Sequence, residues 1–354
     1  MKRSITVILL LIMAILLVGC GGGNDELFKI IEEPKEDFSQ LIFFGVAKHL
    51  IGLDPIDFER EADFKFENYI AYGDKTDDGR VFVIDDGNKL GDWGEHFYVL
   101  NEDGEKIGKE KIFPNSRNFK VVGDKIFVAN SAYTSEGYAG LQILDVNSYQ
   151  KLYESKEINE IINENNIYQY NNAIYVGVSA FEPKDRKAHI LKFDDNTLAK
   201  GEIYKYTKDF PYQKIDILIY NDYLVITYLF NRRVQIFDLT TDELVRTIDI
   251  NSLVDISNDE EVSYRLDNPR LINGELVLLL RDNMGLEMTY QKLLIFDKDS
   301  LEFEREVSLD KTHDLRFANL RYVVGGRLFF QKMELIAIYD YSDGRILNDI
   351  IVDR

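Results

Sequence analysis

The acidic stretch from Asp74 to Asp85 has the residue types and spacing closest to a metal site. Asp74, Thr76 and Asp78 occupy alternate positions, and Asp85 stands at the twelfth. Oxygen ligands at such intervals partly fit a calcium loop. The fit is incomplete, because Thr76 replaces the usual acid or Asn and the twelfth residue is Asp where Glu is usual. An acidic hairpin turn is the favoured interpretation, with calcium binding as the alternative.

No catalytic motif accompanies this stretch. The chain has four His residues, at 49, 96, 189 and 313, and none forms HExxH or a close pair. There is no GxSxG motif and no glycine loop that could cradle a phosphate. Acid pairs are frequent, but 62 acidic residues produce such pairs by chance. The sequence therefore predicts no cofactor and favours a protein that is not an enzyme, with the question left open.

The only cysteine, Cys20, ends a three-part leader. Lys2 and Arg3 make a basic start, residues 5–18 form an apolar run too short for a typical membrane span, and Gly19 precedes the cysteine. This pattern resembles the lipobox of bacterial lipoproteins. The resemblance implies removal of residues 1–19 and lipidation of Cys20, whereas an ordinary secretory signal is the alternative. Residue 21 is Gly and not Asp, which in a two-membrane bacterium is compatible with the outer membrane.

The charge of the chain disfavours nucleic acid as a partner. The formal net charge is −20, and removing Lys2 and Arg3 with the leader gives −20 − 2 = −22. Such a charge repels phosphate backbones and anionic lipid headgroups. The predicted link to the membrane is therefore the lipid on Cys20.

A repeated unit of four short strands organises the rest of the chain. A two-residue turn joins its first two strands, as at Gly123-Asp124 and Asn171-Asn172. The third strand ends in a recurring acid or amide, at Asn101, Asp145, Asp194, Asp238, Asp297 and Asp340. These positions are 44, 49, 44, 59 and 43 residues apart. We expect their side chains to cap the following turns and not to form a carboxylate cluster.

Repeats of this length with four strands each predict an all-β fold, a six-bladed β-propeller of four-stranded antiparallel blades. The predicted blades cover about 66–113, 114–158, 166–206, 214–250, 267–309 and 318–353. The last blade ends in its own outer strand, so closure would need no strand from the N-terminus. The pattern resembles the TolB-like and YVTN-like propellers of bacterial envelope proteins, and it says little about function.

Residues 20–65 are predicted to be a lipidated tether and an N-terminal segment that precedes a propeller domain at 66–354. Apolar residues at 38, 41, 42, 46, 50 and 53 have helical spacing, which favours a short amphipathic helix near 38–52. The alternative is that Leu41–Val46 is a strand added to the edge of a blade.

The long connections between strands are the candidate binding face. They fall at 86–95, 131–139, 179–188, 251–268 and 281–290, and long loops on one face of a propeller can carry function. Aromatic and Arg side chains of the kind enriched at binding sites come with them: Trp93, Tyr133, Tyr138, Phe181, Arg186, Arg281 and Tyr290. Arg270 and Lys120 occupy equivalent positions in two inner strands and are expected to face the channel. Tolerated insertions are the alternative interpretation of the long loops.

Together these features predict a lipid-anchored, extracytoplasmic β-propeller of the bacterial cell envelope. Its expected role is to bind a protein or glycan partner through the long-loop face. The alternatives are an assembly scaffold of the envelope, or a hydrolase or lyase with its site at the mouth of the central channel.

Overall fold

The computed structural model describes residues 28–32, 40–76, 78–87, 96–101, 103–112, 116–130, 140–155, 161–179, 188–203, 205–206, 214–229, 231–254, 263–284, 291–315, 318–332 and 334–352. These residues form seven four-stranded antiparallel sheets, numbered here as blades one to seven in chain order. Within the described ranges, no helix is long and apolar enough to cross a membrane.

Each blade is built from one continuous stretch of chain. The strands of blades one to four are β1 (Phe28–Glu32), β2 (Ile42–Val46), β3 (His49–Leu53), β4 (Arg60–Phe66), β5 (Tyr69–Lys75), β6 (Val81–Gly87), β7 (His96–Leu100), β8 (Lys106–Lys111), β9 (Ser116–Val122), β10 (Lys125–Asn130), β11 (Leu141–Asp145), β12 (Lys151–Ser155), β13 (Ile161–Tyr170), β14 (Ala173–Ser179), β15 (His189–Asp194) and β16 (Lys200–Ile203). Those of blades five to seven are β17 (Ile215–Tyr220), β18 (Tyr223–Tyr228), β19 (Arg233–Asp238), β20 (Glu243–Asp249), β21 (Ser263–Ile272), β22 (Glu275–Met284), β23 (Gln291–Asp297), β24 (Phe303–Ser308), β25 (Asn319–Val324), β26 (Arg327–Lys332), β27 (Leu335–Asp340) and β28 (Ile346–Ile351).

The sequence pattern of a blade follows from what covers each strand. In blade five, every residue of β18 after Tyr223 is buried, because neighbouring blades cover both faces of the sheet. The outer strand β20 is mostly exposed and carries charged residues, which discourage pairing with another chain. The Asn171-Asn172 turn has φ angles of 46° and 58°, in the left-handed region that a tight hairpin needs and that Asn tolerates.

The recurring acids at the ends of the third strands cap turns, as predicted. Asp238 accepts hydrogen bonds from the backbone N–H groups of Thr240 at 2.7 Å and Thr241 at 3.0 Å. The same arrangement recurs at Asp145, Asp194, Asp297 and Asp340. These bonds favour the ionised form and lower the pKa of each carboxyl group.

The hydrophobic core is divided into clusters that lie between consecutive blades. Val225 of blade five packs in one cluster with Leu278 of blade six. Another cluster joins Phe329 of blade seven to Phe44 of blade one, which closes the ring. The fold is therefore a β-propeller of seven blades.

The prediction of six blades is wrong, because residues before 66 form an additional blade. The segment near 38–52 is not a helix; it contains β2 and β3, so the alternative of a strand at Leu41–Val46 is confirmed in part. All five residues of β2 are buried. A strand covered on both faces loses the alternation of apolar and polar residues, so its periodicity alone does not distinguish it from a buried helix.

Blade one runs in the opposite direction to its neighbour, blade seven. The hydroxyl of Tyr322 donates to the carbonyl oxygen of Phe43, and the side-chain amide of Gln331 donates to that of Gly45. Gln331 pairs with Asn319, at the beginning of β25. β2 and β25 therefore run in opposite directions.

Blade one also runs in the opposite direction to its other neighbour, blade two. The N–H of Ile70, near the start of β5, donates to the carbonyl oxygen of Ala47, just after the end of β2. Asp74, near the end of β5, shares the Tyr322 hydroxyl with Phe43. The inner strand β2 is thus antiparallel to both adjacent inner strands.

No strand is shared between blades one and seven in the described residues. Blade seven has its own outer strand, β28, as predicted, and blade one takes its outer strand β1 from the beginning of the described chain. The ring is therefore closed by side-chain contacts between blades one and seven.

Candidate functional site

The two ends of the ring differ in the length of their connections. We call the end where β9, β13, β17, β21 and β25 begin the loop face, and the opposite end the turn face. At the loop face, the second and third strands of several blades are separated by long stretches of sequence, which cover residues 88–95, 131–140, 180–188 and 285–290. At the turn face most inner hairpins have two-residue turns, as at Gly123-Asp124 and Asn273-Gly274.

Most of the predicted binding residues lie outside the described residues. This holds for Trp93, Tyr133, Tyr138, Phe181, Arg186 and Tyr290, and also for Cys20. Their positions in space therefore stay predictions. The strands that flank the long connections are described, and these flanks share the loop face.

Arg281 does not lie in an exposed loop, because β22 extends to Met284. Its side chain is buried, with 1% of the residue exposed. Its Nε donates to Asp267 at 2.6 Å, and its Nη1 donates to the carbonyl oxygens of Ala318, at 2.6 Å, and Leu315. Arg281 thereby links Asp267 of β21 to the chain that enters blade seven.

Asp267 is the centre of this buried network. Arg265 Nε also donates to it, at 2.7 Å. Burial alone would raise the pKa of the Asp267 carboxyl, but the charges of Arg281 and Arg265 hold that pKa below its usual range. Because its charge is paired, the buried Asp267 carboxylate rigidifies the ends of the strands in blades six and seven.

Arg270 lies nearer the turn face and not among the long loops. It pairs with Val277, two residues before the closing pair Ile272 and Glu275. Lys120 stands two residues before the closing pair of its own hairpin, so the predicted equivalence of the two positions is confirmed. Nη2 of Arg270 donates to the carbonyl oxygen of Leu320 at 3.1 Å.

The four candidate calcium ligands are not brought together. In the β5–β6 ladder, Asp74 pairs with Phe82, whereas Asp85 pairs with Ile70. Ile70 lies four residues before Asp74 in β5, so Asp85 is about 13 Å from Asp74 along the strand at the usual rise per residue. Asp85 instead accepts hydrogen bonds from Asn68 and from the Tyr98 hydroxyl.

Thr76 and Asp78 remain together in the β5–β6 turn, where Thr76 Oγ1 donates to the Asp78 carboxylate at 2.5 Å. Across the described ranges, no group of three or more His, Cys, Asp or Glu side chains is placed to hold a metal ion.

A cleft of about 540 Å³ opens on the turn face between blades two and three. Its lining includes Asp74, Lys75, Thr76, Asp78, Arg80, Phe119, Lys120 and Asp124. One wall is fixed by Arg80, which donates to the Asp78 carboxylate from Nε at 2.9 Å and to the Val146 carbonyl oxygen from Nη1 at 2.6 Å. The Arg80 pairing and hydrogen bonds lower the pKa of Asp78 to about 2.

The inner strands beside this cleft carry further cations. The Arg321 guanidinium lies 3.6 Å from the centre of the Tyr72 ring, and its Nη2 donates to the carbonyl oxygen of Gly73 at 2.8 Å. Sequence reasoning missed Arg321. Its strand gives no signal for it, because the register places Arg321 in the position of Phe119 of β9 and places Tyr322 in the position of Lys120.

Comparison with known proteins finds structures of similar fold and no sequence family. No family model matches the chain, and no curated protein matches it. The periplasmic gluconolactonase PpgL of Pseudomonas aeruginosa is 12% identical with a TM-score of 0.60, over 88% of this chain and 96% of that one. Apo AztD of Citrobacter koseri is 13% identical with a TM-score of 0.54, over 88% and 94%. BamB of Moraxella catarrhalis is 12% identical with a TM-score of 0.50, over 92% and 88%. At such identities the likeness shows the β-propeller fold alone.

Proposed function

We propose that this protein is a lipid-anchored, extracytoplasmic bacterial β-propeller that binds a protein or glycan partner through its loop face. The observation that carries the proposal is the division of the ring into a face of long connections and a face of tight turns. Binding residues in proteins are concentrated on long loops held by a rigid frame. The network around Arg281 supplies such a frame, because it fixes the entry into blade seven from within the sheet.

The proposed location rests on the leader and on the structural neighbours. Cys20 stands where a bacterial lipoprotein is acylated, and two or three acyl chains hold a protein firmly at a bilayer. One neighbour of similar fold, PpgL, is described as periplasmic. The proposal for two-membrane bacteria is an anchor in the outer membrane.

The anchor is tested with Cys20→Ser in cells fed a labelled fatty acid. We expect the parent chain to take up the label and sediment with membranes, and the variant to lose both properties. A labelled variant, or a parent chain that stays in the soluble fraction, would count against the anchor.

The binding face is tested by photo-crosslinking in cells from two exposed positions of blade five. Ser252 lies in the connection beyond β20 on the loop face, and Thr241 lies in the turn before β20. We expect a discrete crosslinked product from a probe at Ser252 and none from a probe at Thr241. Products from Thr241 alone, or from neither site, would contradict a loop-face partner. A product that contains a membrane protein complex would identify the partner as part of an envelope assembly.

A further inference from the structure

The first strand of the chain begins at the loop face, on the outer edge of blade one. In the β1–β4 ladder, Phe28 pairs with Phe66, and Glu32 pairs with Asp63. Phe66 is the last residue of β4, and its N–H donates to the carbonyl oxygen of Lys48 in the β2–β3 turn. That turn lies at the loop face, because β2 is antiparallel to β25, which begins there. Phe28 is therefore at the loop-face end of blade one, and β1 runs from there towards the turn face.

The number of residues between Cys20 and Phe28 limits how far the start of β1 can lie from a lipid anchor. Phe28 is eight residues after Cys20, and three of the eight residues 20–27 are Gly. Eight residues span at most about 29 Å when fully extended. A glycine-rich chain of this length has an average end-to-end distance of about 16 Å. An anchor at Cys20 therefore holds the loop-face rim of blade one within about 16–29 Å of the bilayer.

The opposite orientation would place the start of β1 much farther from the bilayer. β4 has seven residues, Arg60–Phe66, and so measures about 20 Å along the strand. With the turn face against the membrane, Phe28 would be raised by about 20 Å, the height of the blade. The link from Cys20 would then be stretched beyond its average length of about 16 Å, which costs conformational entropy. The link therefore favours the loop face as the side turned to the bilayer.

We propose that the loop face is turned towards the bilayer that holds Cys20, and that its partner is a protein embedded in the same membrane. This inference rests on the lipid anchor of the proposed function. The space under the loop-face rim of blade one is about 16 Å high on average. A soluble domain of about 100 residues has a radius of gyration of about 13 Å, so it is more than about 26 Å wide. A membrane-embedded protein meets the loop face from the bilayer and does not need that space.

Two exposed isoleucines, one at each face, provide matched positions for the test of orientation. Ile351, 72% exposed, is the last residue of β28 and lies at the loop face. Ile56, 68% exposed, lies in the β3–β4 connection at the turn face, where Arg327 donates to the carbonyl oxygen of the adjacent Pro55. Since Cys20 is the only cysteine, Ile351→Cys and Ile56→Cys each supply one thiol for a fluorescent donor once Cys20 is acylated.

The measurement is energy transfer from each labelled, lipidated variant to an acceptor on the lipid headgroups of phosphatidylcholine vesicles. We expect transfer from Ile351→Cys to be roughly twofold stronger than from Ile56→Cys, because the two faces are about 20 Å apart along a strand. Equal transfer, or stronger transfer from Ile56→Cys, would overturn the orientation and leave the anchor intact. No transfer from either variant, with the chain in the soluble fraction, would overturn the anchor itself.

The class of partner is tested by photo-crosslinking in cells from Ile351, with Ile56 as the control. We expect a product from Ile351 and none from Ile56. The crosslinked protein, followed in cells that lack this chain, should stay with the membranes after an alkaline wash. A partner released by the wash, or a glycan in its place, would overturn the membrane-embedded partner but not binding at the loop face. Products from neither Ile351 nor Ser252 would overturn both.

Discussion

The hydroxyl of Tyr322 donates a hydrogen bond to the carbonyl oxygen of Phe43 at 2.8 Å and so joins the last blade to the first. The hydroxyl oxygen of Tyr322 also lies 2.9 Å from Oδ1 of the Asp74 carboxylate. Burial, with the negative charge of Asp74, raises the pKa of Tyr322 far above its usual value, which keeps the hydroxyl protonated. One phenol therefore ties blades one, two and seven together.

Replacing Tyr322 by Phe should destabilise the ring by about 1–3 kcal/mol, because the Phe43 carbonyl and the Asp74 carboxylate each lose a donor. The measurement is the free energy of unfolding in urea. Tyr223→Phe is the control, since Tyr223 contacts Tyr220 within blade five and is not part of the closure. Equal effects of the two substitutions would show that the Tyr322 hydroxyl has no special role.

Replacing Gly45 by Ala should also weaken the closure. A Cβ at Gly45 would lie 2.4 Å from Cγ2 of Ile70, closer than real atoms approach, so blade one would have to move away from blade two. We expect a loss of about 1–3 kcal/mol, typical of an overpacked core. At Gly201 the nearest atom to a new Cβ is 3.8 Å away, so Gly201→Ala should change the free energy of unfolding by less than about 0.5 kcal/mol. A neutral Gly45→Ala would argue against close contact between β2 and β5.

The sequence predicts blades two to seven because each is local: strands, turns and capping acids recur within about fifty residues. Blade one escapes this reasoning because its outer strand β1 precedes its inner strand β2 in the chain and its direction is reversed. The reversal is fixed by contacts such as Phe43 with Tyr322, which lie 279 residues apart. The sequence favours a loop at Arg281, because a charged residue after an apolar strand usually marks the end of that strand. The partner that buries it, Asp267, is in another strand and has no local signature.

Replacing Arg281 by Met should cost about 3–5 kcal/mol, because Asp267 loses one of its two arginines inside the protein. The double variant Arg281→Met with Asp267→Leu should lose less than the sum of the two single losses, since no unpaired carboxylate is then left. Arg246→Met is the comparison. Its pair with Glu302 is largely exposed, so we expect a loss below about 1 kcal/mol. Full additivity of the double variant would show that the two side chains are not coupled.

Stability should fall as the pH drops from about 4 towards 2. The pKa of Asp78 is lowered to about 2, and the capping acids, of which Asp238 is one, also have lowered values in the folded chain. A group whose pKa is lower in the folded state contributes stability above its unfolded pKa, and this is lost as the pH falls through the folded pKa.

The measurement is the free energy of unfolding at pH 6, 4 and 3. Asp238→Asn keeps an acceptor for the turn but cannot titrate, so its stability should fall less steeply between pH 4 and pH 3. A parent protein with constant stability down to pH 3, or an unchanged slope in Asp238→Asn, would contradict the assignment.

The reversed first blade has a consequence for the order in which the chain matures. Blade one is synthesised first, yet the groups that hold it in the ring, from Tyr322 to Gln331, are made near the end. Such distant contacts form slowly, because a long loop must close before they contribute. The apolar side chains of β2 therefore remain exposed to solvent until the other blades have been synthesised. That interval is when a chaperone would be needed most, and blade one is the surface that it would have to cover.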